Sequence, residues 1–430
     1  MDLRVRPAPA FDERADWLRR YARNRRRSSR LFETVLPPAY DVRAIPLRHP
    51  PVFYEGHLPA FSFNKLVREA LGGRSIDPEL ELLFERGIDP ANAAAAAGHE
   101  RAHWPRRDEV LRFGRACDDA VTTALARADL DDASDPRLAR GHAAWTILEH
   151  EEMHHETLAY LLHRIPLEHK RAPAGYQTLT APTDAPSRPR IEVPAGSVTL
   201  GVAPVSIAFA WDNEQPEMRV DVARFECDRF PVTNRDWLAF VRDGGPVPAF
   251  WIESGDRFRL RGAWETLELP HSWPVWVTNA QARAYADWAG RRLMTEAEYH
   301  RAAFGTPTGE ERAFPWGDAP PTTEHGNFDW QRWDPEPVGS RPAGASAWGV
   351  HELIGNGWEH TATPFAPFGP LGGFVPHPSY PQYSADFFDG NHYVVKGASP
   401  VTPREHLRRS FRNWYYADYP YVFGKFRTVL

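Results

Sequence analysis

Four stretches in the first 165 residues leave little choice but long helices, and they restrict the N-terminal half before any motif is read. Residues 11–36, FDERADWLRRYARNRRRSSRLFETVL, contain neither glycine nor proline and carry apolar residues at helical spacing, a period that a strand cannot use. The stretches 56–71, 106–127 and 136–165 look similar. The last is predicted to open with Asp135 as cap and Pro136 at the first helical position, and to stop at Pro166. Four such helices predict an antiparallel bundle. The ANAAAAAG run (91–98) is a good helix former that carries no chemistry.

The second half has a different texture. Residues 166–190 include RAPAGYQTLTAPTDAPSRPR, a Pro- and Thr-rich linker or wrapping arm. Short strand-like runs follow (IEVPAGSVTLG, MRVDVARFECDRFPVTN), then two brief helices (NRDWLAFVRD, NAQARAYADWAGRR) and turn-rich loops to residue 430. The chain has 16 Trp and 41 Pro, and the Trp residues and Gly-Pro loops concentrate after residue 190. This half reads as α+β with a small, distorted sheet. The expected division is a helical domain at 1–165, a linker at 166–192 and a second domain at 193–430.

Composition narrows the function classes. A hydrophobic content of 42% with 25% charged residues fits a soluble globular protein. The net charge of −6 argues against a nucleic-acid binder, which needs a basic surface. The one basic run, RNRRRSSR at 23–30, is expected to be a solvated helix face. No signal peptide is expected from MDLRVRPAPAFDERADW, which lacks an apolar core, and no stretch of 18 apolar residues predicts a membrane span. The two cysteines, Cys117 and Cys227, rule out a disulfide framework and a cysteine-based zinc cluster. Low cysteine usage fits a reducing, cytoplasmic location.

The chemistry concentrates at residues 150–157, HEEMHHET. On a wheel at about 100° per residue, Ala143, Ile147, His150, Met153, His154, Thr157, Leu158, Tyr160 and Leu161 share the apolar side. Glu149, Glu151, Glu152, His155, Glu156 and His163 share the other, and are expected to face solvent or the domain boundary. His150 and His154 thus lie one turn apart, facing the bundle core. A buried imidazole without partners costs roughly 1–3 kcal/mol. Two such rings at i and i+4 can be hydrogen-bonded core histidines or can chelate one metal ion. A metal needs a third ligand. His57, in FYEGHLPAFSFNKL, is the candidate in a compact helix-start context, with His49, His99, His103 and His142 as competitors. Three neutral imidazoles with open positions suit catalytic Zn(II) or non-haem Fe(II), and ligand type alone does not choose.

From residue 193 the chain resembles the formylglycine-generating-enzyme/sulfatase-modifying domain, a variant of the C-type lectin fold. The matching segments are VPAGSVTLG (193–201), FPVTNRDWLAFV (230–241), PVWVTNAQARAYADWAGRRLMTEAEYHRAA (274–303), FPWGD (314–318), PVGSRPAGASAWGVHELIGNGWEHT (337–361), VVKGASP (394–400) and RRSFRNWY (408–415). Copper-dependent formylglycine formation needs a late pair of cysteines, and no cysteine follows Cys227. A DinB-like four-helix bundle carrying HxxxHxE (His150, His154, Glu156), fused to such a domain, resembles the ergothioneine-type sulfoxide synthases over nearly the whole chain. The resemblance implies Fe(II) held at the domain interface by His150, His154 and, from its Gly-His-Leu context, His57. Glu156 then stands behind the ligands rather than among them. It also implies O2-dependent bonding of a chalcogen to the imidazole C2 of trimethylhistidine (hercynine). Trp414, Tyr415 and Tyr416 become expected walls for the quaternary ammonium, Asn413 a partner of the substrate imidazole or carboxylate, and Tyr380 or Tyr383 the proton or electron donor.

The chain departs from the family where the second substrate is recognised. Enzymes of the family that use γ-glutamylcysteine usually read NWDYP with an arginine further on, whereas this chain reads NWYYADYPY. Tyr415 replaces the acid and Tyr419 stands at about the arginine's place. The family's arginine-rich loop is shortened to GHERAHWPRRDE (98–109), and a glutamine common between the helix histidines is Met153. Carboxylated thiols want charged partners, each worth about 1.5–3 kcal/mol. Ring- and hydroxyl-rich walls suit a sugar. The expected activity is therefore selenoneine-synthase-like, C–Se coupling of hercynine with a selenosugar. The alternatives are a sulfoxide synthase using cysteine or another thiol, a zinc-dependent DinB-type thiol transferase, and a non-catalytic lectin-like module.

Overall fold

The computed structural model describes residues 13–85, 103–177 and 185–430. The alanine-rich run 91–98 and His99 lie outside the described residues. The chain divides into two compact units, Met1–Pro173 and Ala174–Leu430.

The first unit is built on helices α1 (Glu13–Glu33), α2 (Pro51–Ser62), the short α3 (Pro78–Leu83), α4 (Arg107–Arg127) and α5 (His142–Arg164). The four long ones pack as a bundle, α1 against α4 and α5, and α2 against α4 and α5. Helix α1 buries Trp17, Tyr21, Asn24, Ser28 and Leu31, a stripe at three- and four-residue steps. Every residue of α2 is buried, as a helix apolar on all sides must be. Pro59, inside α2, lacks the N–H that would close its helical bond. The helix continues past Ser62 as a π-helix over Phe63–Ala70, a form that is rare outside functional sites.

Two expectations for this unit are overturned. Helix α5 does not start at Pro136. Arg140 and Gly141 both take left-handed conformations (φ 58° and 69°), and the α-helix begins at His142. Asp135 serves a turn instead, its carboxylate accepting from the Arg137 N–H at 2.9 Å. The second correction concerns the acidic side of α5. Glu149, Glu151, Glu152, His155, Glu156 and His163 are all buried. The wheel read polar as outward, but α1 faces these acids with cations from and beside the basic run. Arg20 reaches both oxygens of Glu152 at 2.6 and 3.3 Å, and Arg23 adds a third bond at 3.0 Å. Arg25 pairs with Glu151 at 2.8 Å and with Asp118 of α4 at 2.9 Å. Ser28 donates to Glu151 at 2.6 Å and lies 2.9 Å from His155 Nε2. A hydroxyl has one proton, so the His155 ring donates to Ser28. The basic run is thus not a solvated face throughout: Arg26, Ser29 and Arg30 are exposed, while Arg25 and Ser28 are bound into the bundle.

The second unit carries two four-stranded sheets, a hairpin and a three-stranded meander. One sheet orders β1 (Arg190–Val193), β4 (Phe225–Asp228), β13 (Thr428–Val429) and β8 (Arg292–Leu293). The other orders β11 (Asn413–Tyr416), β10 (His392–Ala398), β9 (Gly357–Pro364) and β12 (Gly424–Lys425). β2 (Gly196–Leu200) pairs with β3 (Met218–Val222). β5 (Trp251–Ser254), β6 (Arg257–Arg261) and β7 (Thr266–Glu268) form the meander. Helices α6 (Asn234–Arg242), α7 (Asn279–Trp288) and α8 (Glu296–Phe304) each begin with a reciprocal cap, Thr233 with Asp236, Thr278 with Gln281 and Thr295 with Glu298. Each cap residue contributes about 1 kcal/mol. The sequence reading found the first two helices and missed α8, although TEAE announces it.

Candidate metal centre and substrate walls

His150 and His154 come one turn apart from α5, and His57 from the middle of α2. One nitrogen of each ring lies within 4.8 Å of the others. The ring centroids stand 4.4 Å apart for His150–His154, 5.2 Å for His57–His150 and 5.0 Å for His57–His154. Among the described residues this is the one such group of three or more His, Cys, Asp or Glu side chains. Of the competitors, His49 stacks on Phe53 at 4.0 Å and His103 is exposed.

The rings are held from behind. Phe61 stacks on His150, with centroids 3.4 Å apart and planes 6° from parallel. Phe53 stacks on His57 at 5.2 Å. Tyr54 lies 5.6 Å from the His154 ring. His57 Nδ1 donates to the carbonyl of Phe84 at 2.7 Å. Its other nitrogen, Nε2, is buried with no hydrogen-bond partner among the described residues, as is Nδ1 of His154. Burial holds His57 in the neutral form, its pKa lowered to about 4 despite the opposing bond to the Phe84 carbonyl. Burial, and then the neighbouring rings, push His150 and His154 well below the ordinary histidine range. Neutral imidazoles with unused lone pairs are the metal-binding form, so these residues fit a resident ion.

Around the cluster, Met153, His154 and Thr157 are the incompletely buried residues in the middle of α5, so that edge offers the approach to the rings within the first unit. Glu156 is buried and accepts from the Tyr160 hydroxyl at 2.6 Å, which keeps it apart from the group of three.

In the second unit, Tyr380 and Tyr383 flank a short turn before and within α9 (Gln382–Ala385), their rings 5.8 Å apart. Tyr383 stacks on Trp211 at 3.9 Å and meets Trp414 at 5.2 Å. The loop is tied down by Asp212, which accepts from Ser384 Oγ and, at 3.1 Å, from the His377 N–H. Asn213 adds a bond to Ser384 at 2.9 Å. One predicted donor residue thus shares a ring cluster with one predicted wall residue.

Asn413, Trp414, Tyr415 and Tyr416 form strand β11, where successive side chains point to opposite faces. Trp414 stacks on Phe365 at 4.1 Å, and Tyr416 meets His392 at 3.9 Å with the planes tilted by 38°. On the other face Asn413 donates to the Tyr415 hydroxyl at 3.3 Å, and Tyr415 stacks on Tyr419 at 5.6 Å with planes 13° apart. Tyr419 also meets Tyr421 at 5.2 Å. Trp211 and Phe365 were missed by sequence reasoning, since each lies far from β11 in the chain and no local motif marks it. Both cysteines are buried and unpaired with each other. Burial pushes the Cys227 thiol up to about 12, so the formylglycine scaffold carries no reactive thiolate here.

Comparison with known proteins agrees with this layout. Residues 20–158 match the DinB superfamily, and residues 177–430 match the sulfatase-modifying factor enzyme 1-like domain. The pairing defines a class of enzyme, a DinB-type helical bundle joined to a sulfatase-modifying domain. A hercynine oxygenase of Mycolicibacterium thermoresistibile is 33% identical over 96% of this chain and 93% of its own length. One from Mycolicibacterium smegmatis is 36% identical, covering 64% of this chain and 67% of that protein. Ergothioneine biosynthesis protein 1 of Neurospora crassa is 27% identical over 90% of this chain, which spans 54% of that longer protein. The chain belongs to the ergothioneine-type sulfoxide synthase family and is an oxidoreductase. No helix among the described residues is long and apolar enough to cross a membrane.

Proposed function

We propose that this protein is a non-haem Fe(II), O2-dependent enzyme that joins a chalcogen to C2 of the hercynine imidazole, with a selenosugar as donor. The observation that carries the reading is the convergence of three neutral imidazoles from two helices, two of them buried and His154 partly so, with His57 Nε2 and His154 Nδ1 left without hydrogen bonds among the described residues. Bound there, ferrous iron would supply open positions for O2 and the chalcogen. In the overall change the C2–H and Se–H bonds are lost and a C–Se bond forms. O2 takes up four electrons, one oxygen leaving as water and the other remaining on selenium.

The chain's own residues take the remaining roles. The trimethylammonium of hercynine cannot hydrogen-bond, and an aromatic face attracts it by about 0.5–2 kcal/mol. Phe365 stacks on one face of Trp414, and Tyr383 and Phe387 also meet its ring, so the ammonium contact is assigned to the part of this partly exposed ring that they leave uncovered. Met153, at the half-exposed edge of α5, borders the substrate without charge. Asn413 holds Tyr415 by its amide and is placed to meet a polar substrate group. Tyr416 completes the aromatic surroundings of the strand. Tyr383, packed between Trp211 and Trp414, is favoured over Tyr380 as the proton or electron donor. Tyr383→Phe is expected to lower coupled product per O2 consumed more than Tyr380→Phe does. If both variants keep wild-type coupling, neither tyrosine is the donor.

The choice of donor rests on Tyr415 and Tyr419, whose stacked rings offer faces and hydroxyls where carboxylated thiols need charge. Tyr415→Asp should add a charge-assisted bond to an amino group, about 1.5–3 kcal/mol. That predicts a gain of about 10- to 100-fold in kcat/KM for cysteine relative to the selenosugar; an unchanged donor profile contradicts the assignment. The sulfur reading has the names of the relatives in its favour, since they act in ergothioneine biosynthesis. One experiment separates the two. Fe(II)-loaded protein is incubated with hercynine, O2 and a panel of selenosugars and thiols, and the products are identified by mass spectrometry. A C–Se product from the sugar supports the proposal. Turnover with thiols alone assigns the sulfur reaction. Equal turnover with zinc and without O2 would assign a thiol transferase, and a protein that takes up no stoichiometric iron when handled anaerobically, a binding module.

A further inference from the structure

The sequence EGH at 55–57 places a glycine directly before the His57 ligand, inside a helix. A helical glycine costs roughly 1 kcal/mol against alanine, so its presence asks for a local reason. Gly56 does not need a special backbone conformation, because it lies within the regular helix α2. The reason is contact. A Cβ on Gly56 would stand 2.5 Å from Cζ of Phe84 and 2.6 Å from Cε1 and Cε2. The neighbour cannot easily retreat. Phe84 is fully buried, and its ring packs 6.1 Å from both Phe53 and Phe113.

Phe84 is also the residue whose carbonyl accepts the His57 Nδ1–H bond at 2.7 Å. It sits just past the end of α3, at the C-cap, where carbonyls have no partner within their own helix. That oxygen is therefore available to a side chain from elsewhere. By holding the proton on Nδ1, it leaves the lone pair on Nε2, the nitrogen with no hydrogen-bond partner among the described residues. Phe53 stacks on the His57 ring and meets the Phe84 ring 6.1 Å away at 57°, so one aromatic ring packs against ligand and latch together.

We propose that Gly56 and Phe84 form a latch that sets the tautomer and orientation of His57, with Gly56 as a positioning residue of the metal centre. This rests on the reading of the three histidines as a metal site, but not on which reaction the metal serves. The chain of cause is short. The missing side chain lets a large buried side chain at position 84 lie against α2, that packing anchors the Phe84 peptide, and its carbonyl fixes His57 as an Nε2 ligand. Outer partners of this kind typically change metal affinity by about 10- to 100-fold.

The test uses Co(II) as probe and does not need turnover. In the metal-free wild-type protein, long-range proton–nitrogen NMR should show His57 as the Nδ1–H tautomer; the Nε2–H tautomer overturns the proposal. Gly56→Ala should weaken Co(II) binding by about 10- to 100-fold and change the visible Co(II) spectrum. The clashing atoms are all at the tip of the Phe84 ring, and leucine lacks them. Gly56→Ala/Phe84→Leu should therefore recover wild-type affinity to within about threefold, together with the wild-type spectrum. Unchanged binding in the single variant, or a folded double variant that stays impaired, overturns the latch. Should the single variant fail to fold, the tautomer and the double variant decide. An intact latch with no oxidative turnover would count against the proposed reaction alone.

Discussion

His154→Ala is expected to strip the protein of its metal and of its turnover together. His154 supplies one of three ring nitrogens within 4.8 Å of one another, and two imidazoles on separate helices make a far weaker site than three. Loss of an outer partner alone typically costs 10- to 100-fold in affinity, so loss of a ligand should cost more than about 100-fold. Iron per chain, measured after anaerobic loading and desalting, should fall from about one towards zero. Product formation should fall with it. The bundle should survive, because His154 is the least buried of the three and its neighbours Leu158 and Tyr160 keep their packing. Retained iron with lost activity would move the residue from ligand to another role.

Glu152→Ala should produce the largest loss of stability. Its side chain is fully buried and meets Arg20 and Arg23, of which Arg20 is itself 9% exposed. Removing the acid takes both charge-assisted bonds to Glu152 from a buried guanidinium, a change of the kind that typically costs about 3–5 kcal/mol. Amide hydrogen exchange in α1 and α5 should then quicken by at least about 100-fold. Replacing Arg20 and Glu152 together by methionine should restore much of the loss, since an apolar pair of similar volume removes both buried charges and Arg23, 36% exposed, can turn to solvent. Equal exchange rates in wild type and Glu152→Ala would show that the pair contributes nothing.

These two residues also show what a sequence reveals and what it hides. The spacing of His150 and His154 is local information, and a helical wheel suffices to place both rings on one side. Their meeting with His57 is not local. It depends on α2 packing against α5, and it was anticipated through the family resemblance, with the competing histidines left open by spacing alone. The acidic side of α5 was misread for the same reason in reverse. A wheel assigns polar residues to solvent, yet Glu151 and Glu152 are buried because arginines on α1, over 120 positions away in sequence, come to meet them. Strand β11 is a third case of partners beyond the local run. The pleat sends Trp414 towards Phe365 and Tyr415 towards Tyr419, and neither pairing is visible in the run NWYY itself. All three capped helices of the second unit carry a Thr-x-x-acid/amide start; two were read as brief helices without it, and α8 was overlooked although its sequence carries the same local signal. The π-helical run after Ser62, the late start of α5 and the Phe84 carbonyl behind His57 carry no local signature of this kind.

The central claim is that imidazoles from two helices share one ferrous ion that O2 and substrate can reach. Anomalous diffraction at the iron edge, from crystals of protein loaded anaerobically with one Fe(II) per chain, tests it most directly. The account predicts a single peak within bonding distance of His57 Nε2 and of one ring nitrogen each of His150 and His154. A peak elsewhere, or fully loaded protein in which these three rings hold no iron, would contradict it.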